Sequence, residues 1–161
     1  MRFRRPPETL GEMVVAEILA QDETSRLTKV GRVVLATWFD APTLEQMLRI
    51  EALGKQSGSD LAFCNVIVRG RPVFTEDVRR AAIRMVEEGR FARGAAHLVL
   101  AEGLKGAAVR GFLGMVSLVG RARARVRVFG DVPGAAAFLA DLAENEPRAP
   151  EIVVAIQQTL V

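Results

Sequence analysis

Residues 32–68, RVVLATWFDAPTLEQMLRIEALGKQSGSDLAFCNVIV, read as strand, helix, strand. RVVLATWF and LAFCNVIV are apolar on both faces, the pattern of strands covered on both sides. Between them Pro42 stands near a helix start, and Thr43 with Gln46 fits a capping box, in which each side chain satisfies a free backbone group of the first turn. Leu44, Met47, Leu48 and Leu53 supply an apolar stripe, and Gly58 follows the stop. Two central strands joined through a helix need a crossover connection, so they run parallel.

Working outward, TSRLTKV (24–30) alternates apolar with polar residues and bends at Lys29-Val30-Gly31 into the first central strand, which makes it an N-terminal edge strand of antiparallel type. Downstream, TEDVRRAAIRMVEEG is a helix with Thr75 as N-cap, Glu76 and Asp77 in its positive first turn, a buried face of Val78, Ala82, Met85 and Val86, and Gly89 as C-cap. GAAHLVLAEG (94–103) is a third central strand. LKGAAVRGFLGMVSLVGRA (104–122) is a helix, RVRVFG a last strand, and VPGAAAFLADLAEN (132–145) a last regular helix. The fold class that follows is α/β: a five-stranded, mainly parallel mixed sheet with alternating helices and extra helical segments at both ends. The organisation expected is an N-terminal amphipathic extension (1–23), an α/β domain (24–145) and a C-terminal amphipathic tail (146–161).

The end segments carry apolar stripes at helical spacing: Leu10, Met13, Val14 and Ile18 at one end, Ile152, Val153, Ile156 and Leu160 at the other. Helices this short are not stable alone. At least one is therefore expected to dock on the domain or on a second copy. No uninterrupted apolar h-region follows the basic start, and no window of about 18 apolar residues could span a membrane. The chain has 161 residues, and its net charge is only +3 with acids spread throughout. The lone Cys64 lies in an apolar run, so an inert buried thiol in a reducing cytoplasm is expected.

RARARVRVFG (121–130) places Arg125 and Arg127 on one face and Val126 and Val128 on the other. In an otherwise apolar sheet this marks an edge strand with one wet face. No aromatics interleave with the arginines, so a base-stacking platform, and with it nucleic acid as a partner, is not expected.

This order, from TSRLTKVGRVVLATWFDAPT through LAFCNVIV and AAHLVLAE to RVRVFGDVPGAAAFLADL, resembles the STAS, or SpoIIAA-like, domain over roughly residues 24–145. The resemblance implies a module that binds proteins in bacterial regulatory assemblies. Family members that antagonise anti-sigma factors carry a phosphorylatable Ser or Thr at the start of the helix after the third strand. The matching segment is PVFTEDVRR, where Thr75 is the only hydroxyl; Glu76 and Asp77 follow it and no Asp precedes it. Thr75 thus has two readings, a helix cap and a phospho-switch.

Ligands of open α/β sheets gather at the carboxyl ends of the strands. Asp40, Arg69, Arg71, Glu102, Lys105 and Asp131 belong there. The set mixes charges and contains no His or Cys, so neither a metal nor a catalytic constellation is expected. AEGLKGAA (101–108) lacks the spacing of a phosphate-binding loop. His97 sits inside a central strand with no nucleophile nearby in sequence, which reads as a core histidine. The helix 104–122 is apolar nearly all round and holds four glycines; Phe112, Met115, Val116 and Val119 form a candidate interface. The function expected is a non-enzymatic interaction module without cofactor, binding itself as a homo-oligomer or binding a protein partner. The alternative is a small-ligand or nucleotide-binding protein that uses a cleft near Arg69, Arg71 and Lys105.

Overall fold

The computed structural model describes residues 15–57, 60–69, 74–103, 107, 111 and 125–161. Six strands form one sheet in chain order: β1 (Glu17–Gln21), β2 (Ser25–Val30), β3 (Val33–Trp38), β4 (Ala62–Ile67), β5 (Gly94–Val99) and β6 (Val126–Phe129). β1–β2 and β2–β3 are antiparallel, and β3 to β6 are parallel. The helices are α1 (Leu44–Gln56), α2 (Glu76–Glu87), α3 (Val132–Leu142) and α4 (Ala149–Thr159).

The α/β class and the parallel centre agree with the sequence reading, but two expectations need correction. The sheet has six strands rather than five, and β2 is not its edge. Residues 17–21, expected within an amphipathic helix, form β1 and cover β2. Five residues hold too little periodicity to separate a helix from a strand. The turn that follows decides the matter: the Asp22 carboxylate accepts the backbone N–H groups of Thr24 (2.9 Å) and Ser25 (2.8 Å) and reverses the chain. Leu19 and Ala20 then pack under α1 and α2.

Alternate side chains of the central strands feed two cores. One face, with Val34, Ala36, Trp38, Phe63 and Ile67, meets α1 and α2. The other, with Val33, Leu35, Cys64, Val66, Ala96 and Leu98, meets α3 and α4. α1 begins with the expected capping box: Thr43 accepts from the Gln46 backbone N–H, and Gln46 accepts from the Thr43 N–H. Its buried residues are Gln46, Met47, Ile50, Glu51 and Gly54, whereas Leu48 is 44% exposed and not part of the stripe. Ile50 and Gly54 fill that side instead, and the ring of Phe91 lies 3.2 Å from where a Gly54 Cβ would stand. On α2, Val78, Ala81 and Met85 are buried while Ala82 is only partly so.

The C-terminal segment docks as expected. Ile152 and Ile156 of α4 are fully buried beside Ala155. The Arg26 guanidinium donates to the carbonyls of Gln158 (3.1 Å) and Thr159 (3.3 Å), placing a cation at the negative end of the helix. Thr37 and Thr159 share a buried hydroxyl contact of 3.0 Å. At the amino ends of the strands, Arg32 and Arg93 both pair with Asp60 and Glu144, which ties the α3–α4 turn to the sheet. Gly31, at φ +51°, lets the β2–β3 turn approach the Glu146 carbonyl, where a Cβ would stand 2.8 Å away.

β6 is the edge strand that its arginine alternation indicates. Arg125 pairs with Asp141 at 2.8 Å, and the Arg125 and Arg127 guanidinium groups lie 5.5 and 5.7 Å from the centre of the Phe138 ring. Their stems shield that ring while the charges stay in water.

Candidate functional site

The carboxyl ends of β3, β4 and β5 lie side by side, with Trp38, Ile67 and Val99 in register. Past them come Asp40, Arg69 and the start of α2. Thr75 is exposed and occupies the N-cap position, its carbonyl accepting from the Arg79 N–H at 3.1 Å. Its hydroxyl donates to the Asp77 carboxylate, and this bond, the largest influence there, holds Asp77 below the ordinary carboxylate range. Arg80 pairs with Glu76. The start of α2 thus carries an exposed threonine whose hydroxyl is held by Asp77, and the same carboxylate accepts from the Val78 N–H at 2.9 Å.

Arg69 is exposed at the same end. The other members of the proposed anion cleft, Arg71 and Lys105, lie outside the described residues, as do Phe112, Met115, Val116 and Val119 of the proposed interface. Of the helix expected at 104–122, positions 107 and 111 are helical and exposed. Among the described residues no three His, Cys, Asp or Glu side chains converge as metal ligands.

Two polar networks border this end of the sheet, and neither is apparent from local sequence. In the first, the Gln46 amide, buried at the start of α1, donates to Asp22 Oδ2 (2.9 Å), Thr24 Oγ1 (2.9 Å) and Ser25 Oγ (3.1 Å). Burial alone would raise the Asp22 carboxyl, yet the bonds from Gln46, Thr24 and Ser25 outweigh it and hold it at about 2. This network fastens the β1–β2 turn to α1. In the second, on the α1/α2 face, Trp38 Nε1 donates to Asn65 Oδ1 at 2.8 Å, and Asn65 Nδ2 lies 3.0 Å from His97 Nδ1. His97 is 6% exposed, and burial pushes its imidazole down to about 4. Cys64, on the opposite face, is wholly buried, and desolvation raises its thiol to about 12, which keeps it protonated and inert.

Polar residues within apolar runs were the available signal. Asn65 interrupts LAFCNVIV, but its partners stand 27 and 32 residues away and no local pattern pairs them. No protein family, curated protein or solved structure matches this chain. No helix among the described residues is long and apolar enough to cross a membrane.

Proposed function

We propose that this chain is a non-enzymatic interaction module of the STAS type, binding a protein partner or a second copy through the surface at the start of α2. The observation that carries this reading is the exposed Thr75 hydroxyl at the first turn of the helix that follows a central parallel strand. A phosphate there would compete with the Asp77 carboxylate for the helix N–H groups and add about −1.5 to −2 charge to a surface a partner can read. The N-cap position and the switch role are compatible, since Thr75 is an exposed residue whose hydroxyl is held only by the exposed Asp77 carboxylate. The setting suits a bacterial-type regulatory assembly in the cytoplasm.

The test has two parts. Light scattering after size exclusion gives the oligomeric state, and affinity capture from the source cells gives the partner. A strict monomer that captures nothing reproducibly would sink the proposal. The second reading, a small-ligand or nucleotide site, draws on the exposed Arg69 at the same sheet end. It predicts a thermal shift with nucleotides or anions, because a ligand at a hundredfold excess over Kd stabilises by about 2.7 kcal/mol.

A further inference from the structure

β6 closes one side of the sheet, and its hydrogen-bond pattern fixes what that side offers. The Ala95 N–H donates to the Arg125 carbonyl at 2.8 Å, and the parallel register runs without a shift from Ala95–Val126 to Leu98–Phe129. In a parallel ladder alternate residues of a strand bond to the same neighbour. Arg125, Arg127 and Phe129 therefore direct their backbone groups at β5, and Val126 and Val128 direct theirs outward. Among the described residues no strand pairs with those outward N–H and C=O groups. The other edge, β1, is broken by a register shift between Ile18 and Ala20, which hinders regular pairing there.

The side chains beside that edge select its partner. Arg125 and Arg127 are exposed on the α3 face, over Phe138, while Val128 packs into the α1/α2 core. Arg127 also lies 5.8 Å from the centre of the Phe129 ring and has no carboxylate partner among the described residues. The Asp141 carboxylate that pairs with Arg125 is 65% exposed, so an incoming acid can replace it at little cost. A second copy of β6 laid on this edge would set arginine opposite arginine, which is unfavourable. From this pattern we propose that the β6 edge docks an extended acidic segment of a partner protein, which joins the sheet as a further strand. Its main chain bonds to the outward groups of Val126 and Val128, and acids at alternate positions face Arg125 and Arg127 at cross-strand Cβ distances of about 4.5–5.5 Å. Apolar residues between those acids lie on the face of Val126 and Val128. The site uses neither Thr75 nor Arg69, and it stands whether or not Thr75 is a switch.

The probe is a blocked peptide, Glu-Val-Glu-Val-Glu, with its glutamine and lysine counterparts as controls, titrated at low salt into the 15N-labelled full chain. The glutamate peptide should bind saturably and slow amide exchange at Val126 and Val128 at least tenfold. The Arg127 N–H, which the ladder already directs at β5, should be unaffected. The glutamine peptide should bind about tenfold more weakly, and the lysine peptide more weakly still. In the protein, Arg127→Gln should weaken the glutamate peptide about threefold, and Arg125→Gln combined with it about tenfold, with the urea midpoint in place. Unchanged exchange at Val126 and Val128, equal binding of the three peptides, or full affinity in the double variant would each overturn the proposal. So would tighter binding of an oligothymidylate at the same amides, which would make the arginines a nucleic-acid strip. Slowing of the same amides by raised protein concentration alone would assign the edge to a second copy instead.

Discussion

Replacing Ile156 by alanine tests how firmly α4 belongs to the sheet. Ile156 is fully buried in the core shared by β2–β5, α3 and α4. Truncating a buried isoleucine to alanine removes three heavy atoms from water-free packing and leaves a cavity, at a cost of about 2–5 kcal/mol. Against a whole-domain stability of about 5–15 kcal/mol, that is a large fraction. Val154→Ala on the same helix is the control: Val154 is 51% exposed, and its truncation should fall within about 0.5 kcal/mol of wild type. Both substitutions change helix propensity in the same favourable direction, so the difference between them reports burial. Urea unfolding followed by circular dichroism gives the midpoint and slope. Ile156→Ala should lower the midpoint by about 1 M or more at an unchanged slope, for a slope of about 2 kcal/mol/M. Equal, small effects of the two substitutions would refute the docking of α4 and everything built on its contacts with Arg26 and Thr37.

Three further outcomes are expected. The His97 imidazole titrates at about 4 in the fold and near 6.5 when unfolded, so the unfolded chain takes the proton first; stability is full above pH 6.5 and falls by about 3 kcal/mol as pH drops to 4. His97→Gln should remove that part of the pH dependence in paired urea titrations at pH 7 and pH 4.5, and an identical slope in both proteins would contradict the buried neutral imidazole. Gly94→Ala should destabilise by several kcal/mol, because φ is +125° there and a Cβ would strike the Arg125 carbonyl oxygen and the Leu142 side chain, whereas Gly130→Ala meets open space and should change the midpoint little. Asp22→Ala should leave the buried Gln46 amide without its carboxylate partner and loosen the β1–β2 turn, read as faster amide exchange in β1 than in β4; unchanged exchange would show the turn to be held by other contacts.

What the sequence discloses is the part of the fold built from local signals. LAFCNVIV is apolar on both faces because both sides of β4 are covered, and the Thr43–Gln46 pair declares a helix start within four residues. Alternation in RVRVF indicates an edge because the inner strands of this parallel sheet are covered on both faces. EILAQ, by contrast, reads equally as the end of an amphipathic helix, and only the reversal at Asp22 makes it a strand. Leu48 lies outside the buried stripe of α1 for a related reason: the buried side of a helix is set by what packs on it, and one such partner, Phe91 against Gly54, arrives 37 positions later in the chain. The candidate site was half legible. Thr75 stands out as a hydroxyl before an acidic helix turn, while the Trp38–Asn65–His97 chain depends on the parallel register that brings β3, β4 and β5 together.

The central claim, that the start of α2 is a partner-binding surface governed by charge at Thr75, is tested most directly by measuring affinity for the captured partner, or for self-association, in wild type, Thr75→Ala and Thr75→Asp. Asp is as good an N-cap as Thr and its charge suits the helix N-terminus, so Thr75→Asp should keep the urea midpoint. Thr75→Ala removes the hydroxyl bond to Asp77 and should cost about 0.5–1.5 kcal/mol of stability. The account predicts that Thr75→Asp shifts the dissociation constant at least tenfold while Thr75→Ala binds as wild type does; equal affinity of all three proteins would contradict it.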